Sequence, residues 1–185
     1  MKLAALTIAF ALALQAAPEE TLFNGKDLTG WVKVSKAEWA VEDGTLVLTG
    51  GGGNGWLRSE KKYKDFELSL DWKTTAEKYD SGVFIRAMEK GEPWPRVAIQ
   101  INLLKGKEGE GVGLPDAAGK PDLLKAGDWN HFVIRAQGGS VKLTFNGKEA
   151  WTAVDTTPRE GFIGFQAEGV RFQFRNIKLT PLKSE

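Results

Sequence analysis

From Phe66 to Lys73 the chain reads Phe-Glu-Leu-Ser-Leu-Asp-Trp-Lys, with apolar and polar residues in unbroken alternation. A period of two places successive side chains on opposite faces of an extended strand. One face of this segment must therefore cover an apolar core while the other meets water or a ligand. The pattern recurs. Val83 and Ile85 alternate with Phe84 and Arg86, and Ile99 and Ile101 with Ala98, Gln100 and Asn102. Val141, Leu143 and Phe145 alternate with Lys142 and Thr144. Asn146-Gly147 then supplies a two-residue hairpin turn, with 148–151 as the return strand. Residues 39–41, 45–49, 56–59, 131–136, 162–166 and 170–179 complete a set of about eleven short strands. Helical periodicity is scarce after residue 17. This spacing predicts an all-β chain of two antiparallel sheets packed face to face, with Leu68, Leu70, Trp72, Val83, Ile85, Ile99, Ile101, Leu143 and Phe165 between them.

Two segments break the pattern. Residues 105–127 are rich in Gly, Lys, Glu and Pro and have no period; a loop of this length in a compact domain is expected to be functional or mobile. Residues 50–55, Gly-Gly-Gly-Gly-Asn-Gly, lack the following helix and lysine that a phosphate-binding loop needs. Composition narrows the chemistry. The chain has no cysteine and one histidine, which excludes disulfides, thiolate zinc sites, cysteine nucleophiles and multi-histidine metal sites. Its 25 Lys+Arg against 24 Asp+Glu give no field that favours nucleic acid or an anionic membrane. Residues 1–17 begin with a basic Lys2, run apolar from Leu3 to Leu14 and end in small residues, which is the pattern of a secretory signal peptide. The expectation is an exported protein, periplasmic or secreted, with no membrane anchor after cleavage. Residues 18–185 then form a single domain.

Several blocks occur in an order that resembles the 3-keto-disaccharide hydrolase family. They are Leu22-Phe23-Asn24-Gly25-Lys26-Asp27-Leu28-Thr29-Gly30-Trp31, Trp39-Ala40-Val41-Glu42-Asp43-Gly44, Gly55-Trp56-Leu57-Arg58-Ser59 and Ser81-Gly82-Val83-Phe84-Ile85-Arg86. Pro93-Trp94-Pro95, Gln100-Ile101-Asn102, Gly127-Asp128-Trp129-Asn130, Gly164-Phe165-Gln166-Ala167-Glu168-Gly169 and Phe174-Arg175-Asn176-Ile177 follow. The resemblance covers nearly all of 18–185. It implies a concanavalin A-like jelly-roll β-sandwich and a small-molecule carbohydrate substrate, a glycoside or disaccharide oxidised at C3. The chain departs from the family pattern at Ala98, where an acidic residue is usual, and in the length of 105–127.

A C3 ketone acidifies the C2 hydrogen, so a base can remove it and the C1 substituent can leave; water then adds to the product. Such a site needs a base, a donor for the enolate oxygen and a donor for the leaving oxygen, and no redox cofactor. Arg86, opposite in phase to Val83 and Ile85, is expected to face a groove on one sheet's outer surface and hold the enolate. Its alternative is a surface ion pair with Asp71 or Glu67. Glu168, in phase with Gln166 at a strand end, is the expected base. Asp80 is the alternative acid-base group, or a turn cap. His131 is either a proton shuttle or a packed sheet residue. Gln100, Asn102 and Gln166 can hold sugar hydroxyls, and Trp56, Trp94 and Arg58 can line the groove. Trp31, Trp39, Trp72 and Trp129 are expected in the core. Loop carboxylates could hold a structural calcium, although no dense ligand loop is visible. The rival class is a non-catalytic, lectin-like carbohydrate-binding module, which needs only the aromatics and amides.

Overall fold

The computed structural model describes residues 18–89 and 91–184, so the signal-like segment 1–17 lies outside the described residues. In chain order the strands are β1 (Glu20–Thr21), β2 (Trp31–Ser35), β3 (Trp39–Glu42), β4 (Thr45–Leu48), β5 (Asn54–Tyr63), β6 (Phe66–Lys73) and β7 (Gly82–Ala87). They continue with β8 (Ile99–Asn102), β9 (Asn130–Gln137), β10 (Ser140–Phe145), β11 (Lys148–Ala153), β12 (Gly161–Glu168) and β13 (Phe172–Pro181). One 3-10 turn, Pro121–Leu123, is the only helical element among the described residues.

All the strands pair antiparallel, in two sheets. The larger runs β11-β10-β9-β6-β13-β4-β3, with β1 also beside β13; the smaller runs β2-β5-β12-β7-β8. Two such sheets face to face form a jelly-roll β-sandwich. β6 alternates buried and half-buried residues along its whole length, as its sequence requires. All nine residues expected between the sheets are buried there. Trp31 on β2 packs on Phe165 of β12, and Phe165 stacks on Phe174 of β13 with 4.3 Å between ring centroids, so aromatic side chains join the sheets across the core. The hairpin at Asn146-Gly147 has positive φ at both residues, 47° and 80°, as its tight turn demands.

The sheets are unequal, and this explains the long segment. β8 ends the smaller sheet, while β9, β10 and β11 carry the larger one further. Their inner residues Phe132, Leu143, Phe145 and Trp151 need cover. Residues 103–129 supply it: Leu103 and Ala117 join the core, and Leu114, Leu123 and Leu124 pack against it. The Trp151 indole donates to the Gly109 carbonyl at 2.6 Å, and Asn102 and Gly109 are tied by backbone bonds to Glu110 and Asn102. The segment is folded onto the sandwich, taking the place of strands that the smaller sheet lacks.

Candidate functional site

β7 is buried on both faces, and β12 is too, except at its last residue Glu168. Their inner residues meet the core; their outer residues lie under a second apolar cluster of Trp56, Phe84, Ala87 and Phe162, flanked by Val34, Trp94 and Ala98. The outer face of the smaller sheet, where the groove is expected, is therefore floored by an apolar layer. Its floor is built on two glycines. A Cβ at Gly164 would sit 2.6 Å from the Trp56 ring, and one at Gly82 would sit 2.6 Å from Gln100 Nε2 and 3.0 Å from Gln166 Oε1. Only residues without side chains let the indole and the two amides lie this close to the sheet.

Along this floor runs a directed hydrogen-bond chain. Gln100 Nε2 donates to Gln166 Oε1 at 2.8 Å, and Gln166 Nε2 donates to Glu168 Oε1 at 2.6 Å. Glu168 lies beside the carboxyl of Asp80, which precedes the buried Ser81. Burial pushes the Glu168 carboxyl above its ordinary range, and the neighbouring Asp80 charge pushes it further; the Gln166 amide opposes both. Burial also raises Asp80, while the Ser81 N–H and the bond from Glu168 pull it back. Two neighbouring half-buried carboxyls do not both ionise at little cost, so the two titrate as a coupled pair. Their interaction raises Glu168 and lowers Asp80, so of the two Glu168 holds a proton more readily. Trp94 lies over the same face, its indole N–H donating to the Ala167 carbonyl at 3.3 Å.

The structure brings together Glu168, Asp80, Gln166, Gln100, Trp56 and Trp94. Arg86 does not join them, a correction to the phase argument. Between Phe162 and Gly164 of β12 lies one residue, but between their partners Ala87 and Phe84 of β7 lie two. This bulge takes up the extra residue at Arg86, whose φ is +50°. Ala87 takes the outer position, and Arg86 turns into the end of the sandwich, fully buried. There its guanidinium donates to the carbonyls of Lys64 (2.8 Å) and Gly138 (2.9 Å) and to Asp65 Oδ1 (3.1 Å). Its ion-pair partner is Asp65, not Asp71 or Glu67.

His131 is also elsewhere. It lies on the outer face of the larger sheet, Nδ1 2.7 Å from Asp71 Oδ1, with the whole core between it and Glu168. Burial pushes the Asp71 carboxyl up, but bonds from His131, Asn176 and Arg175 outweigh it and hold it low. Trp129 belongs to this outer face and not to the core: the Arg175 guanidinium stacks on its ring at 3.9 Å and the Lys73 ammonium lies 4.9 Å from it. Asn102 shares the phase of Gln100, but its side chain bonds Glu110 and the Leu104 N–H, pinning the long segment. Arg58 is on the groove face, yet it reaches away from the carboxyl pair to stack on Phe162 at 4.2 Å and to pair with Glu89 at 2.8 Å. Trp56 is wholly buried, a floor rather than an exposed stacking platform.

Phe84, Gly82 and Gly164 are the groove residues that the sequence reading missed; the first broke the alternation of β7 with a large apolar side chain on the outer face, and that was the available signal. Among the described residues no group of three His, Cys, Asp or Glu side chains is placed to hold a metal ion.

Comparison with known proteins gives the geometry its context. A family defined by a 3-keto-alpha-glucoside-1,2-lyase-like domain matches residues 18–180. A 3-keto-disaccharide hydrolase of Bacteroides thetaiotaomicron is 35% identical, over 88% of this chain and 78% of that one. Among solved structures, a protein of Parabacteroides distasonis provisionally assigned as a glycosyl hydrolase superposes with a TM-score of 0.75 at 23% identity, covering 89% of this chain and 100% of its own. Carbohydrate-binding module CBM66 of Bacillus subtilis superposes with a TM-score of 0.62 at 17% identity, covering 82% and 96%.

Proposed function

The chain belongs to the 3-keto-alpha-glucoside-1,2-lyase-like family, and from that membership we propose that its Asp80–Glu168 pair cleaves 3-keto-glycosides by elimination. The observation that carries this reading is the placement of the Asp80 and Glu168 carboxyls side by side beside an apolar floor, both raised by burial, where one can serve as base and the other as acid. Asp80 takes the C2 proton, and the C2–H electron pair delocalises onto the C3 oxygen as an enolate. When the ketone re-forms, the C1–O1 bond breaks, C1=C2 forms, and Glu168 gives its proton to the leaving oxygen. On this reading the roles are the reverse of the expectation that Glu168 is the base, because burial and the neighbouring Asp80 charge raise Glu168 against the pull of the Gln166 amide. Addition of water to C1, with Glu168 accepting a proton from water and Asp80 returning one to C2, completes hydrolysis and restores the pair.

With Arg86 turned away, the enolate donor on this face is the second N–H of the half-buried Gln100. Donors fixed in a water-poor groove stabilise developing charge without reorganising. The signal-like segment 1–17 would place this reaction outside the cytoplasm. The test is incubation of residues 18–185 with the 3-keto and ordinary forms of one glycoside, following release of the aglycone. Cleavage of the keto form alone is expected; equal cleavage of both refutes elimination. The loss of Arg86 from the groove also favours a second reading, a lectin-like site, and binding of both forms with cleavage of neither would establish it.

A further inference from the structure

The smaller sheet does not stop at β8. Ile101 makes an antiparallel bridge with Gly111: the Asn102 N–H donates to the Glu110 carbonyl at 2.8 Å, and the Val112 N–H to the Gln100 carbonyl at 3.0 Å. Residues 110–112 of the long segment therefore add one more rung at the β8 edge. In an antiparallel bridge, opposite residues point to the same face, so Glu110 shares a face with Asn102 and Val112 with Gln100. Gly111 tells which face this is. A Cβ there would meet Ala117, Leu114 and Trp151, which form or pack on the core, so Glu110 and Val112 point the other way, onto the groove face. The side chains agree: Asn102 Nδ2 donates to Glu110 Oε2 at 3.1 Å, and Gln100 reaches across Gly82 to Gln166.

Glu110 keeps acceptor capacity on this face. Its side chain is 29% exposed, and its ion pair with Lys107, through Oε1, is long at 3.9 Å. Val112 is 45% exposed. A carboxylate and an apolar side chain set side by side suit the edge of a sugar ring, where a hydroxyl neighbours C–H groups. We infer that Glu110 is a specificity-determining residue of the groove, accepting the C4 hydroxyl of the oxidised sugar while Val112 covers the adjoining C–H edge. The inference rests on the reading proposed above, and the order of the strands supplies the position. On that reading Glu168 at the end of β12 serves the C1 oxygen, Asp80 before β7 serves C2, and Gln100 on β8 serves the C3 oxygen. The next rung carries Glu110, and the next ring atom is C4. The long segment thus covers the core with its inner side and meets the substrate with its outer side.

The experiment compares a 3-keto α-glucoside with its 4-deoxy form, by kcat/KM, in the parent and in two variants. The parent should favour the 4-hydroxyl roughly tenfold or more, the gain expected for a hydrogen bond to a charged group. Glu110→Ala should cut that preference to within about twofold, mainly through KM. Val112→Lys, at an exposed position clear of the core, sets an ammonium on the same face to occupy the carboxylate, and should do the same. A parent without the preference overturns the inference. So does a Glu110→Ala variant that slows both substrates alike, or a folded Val112→Lys variant that keeps the preference, whether or not Glu110→Ala folds. If the parent cleaves neither keto-glucoside, the carboxyl-pair reading falls instead, and the C4 contact is judged by binding. For this, 15N-labelled protein is titrated with ordinary methyl α-glucoside and with its 4-deoxy form. Shifts of the Gly111 and Val112 amides at lower concentrations of the first support the contact; equal shifts with both, or none up to about 100 mM, overturn it.

Discussion

Replacing Arg86 by alanine should unfold this protein at a much lower temperature, whatever it does to turnover. The guanidinium makes three bonds, to the Lys64 and Gly138 carbonyls and to Asp65. Arg86 and Asp65 side chains are 0% and 2% exposed, so alanine leaves a carboxylate buried, with only the Gly138 N–H still donating to it. Removing one partner of a buried pair costs about 3–5 kcal/mol. The two carbonyls are only part-buried and can be reached by water, so they add toward the low end of about 1–3 kcal/mol each. A total of about 5–7 kcal/mol is a large part of the ~5–15 kcal/mol that holds a domain together. At roughly 2–4 °C per kcal/mol for a chain of this size, the melting temperature should fall by about 10–28 °C. Urea unfolding followed by tryptophan fluorescence gives the free energy, and calorimetry the temperature. The double variant Arg86→Met with Asp65→Leu should recover most of the loss, because it removes the stranded charge. An Arg86→Ala protein that melts within about 3 °C of the parent and yet loses turnover would refute the reasoning and return the guanidinium to the substrate.

The carboxyl pair makes the opposite forecast: Glu168→Gln and Asp80→Asn should lower kcat on a 3-keto-glycoside by ~10²–10⁴ while leaving the melting temperature within a few degrees. Because both carboxyls are raised above their ordinary values of 4.5 and 3.8, the coupled pair should give a bell-shaped kcat/KM profile displaced upward from the usual carboxylate range; a flat profile across that range would exclude the pair. A raised carboxyl stabilises the fold below its unfolded value and loses that contribution as pH rises through its folded one. Glu168→Gln should therefore gain stability relative to the parent on the alkaline side, measured by urea titration at several pH values. His131→Ala, whose ion pair with Asp71 is 43% exposed on the histidine side, should change stability by less than about 1 kcal/mol and leave turnover unaltered.

Most of the sandwich was readable because a half-buried strand has to alternate. The segments at Phe66, Val83, Ile99, Val141 and Phe162 advertise their inner faces, and Asn146-Gly147 advertises its hairpin. β2 was not among the expected strands: Trp-Val-Lys-Val-Ser alternates, but its first residue closes the block Leu22–Trp31 and was weighed only as a core tryptophan. The role of 103–129 was hidden for a different reason. What it covers is the difference between an eight-stranded and a five-stranded sheet, and no local window of sequence carries that number.

The site was half legible, and the boundary falls at a single residue of backbone. Phase arguments count positions, and they hold on β12, where Gln166 and Glu168 do share the outer face with Gln100. On β7 the same count fails after Ile85. The bulge consumes one position, so Arg86 goes in and Ala87 goes out. The reason lies across the sheet, not in β7 itself. Gly161 faces the bulge so closely that a Cβ there would lie 2.3 Å from the Arg86 carbonyl carbon, and the turns at Lys64 and Gly138 present carbonyls that only a long cationic side chain could reach. An arginine that looks catalytic by periodicity is thus held by the scaffold. Among the described residues no arginine or lysine is paired with Asp80 or Glu168, since Arg58 is drawn off to Phe162 and Glu89. A pair without such a counter-charge keeps its proton to higher pH than one beside an arginine would. The raised Asp80 and Glu168 carboxyls fit a face from which both Arg86 and Arg58 are drawn away.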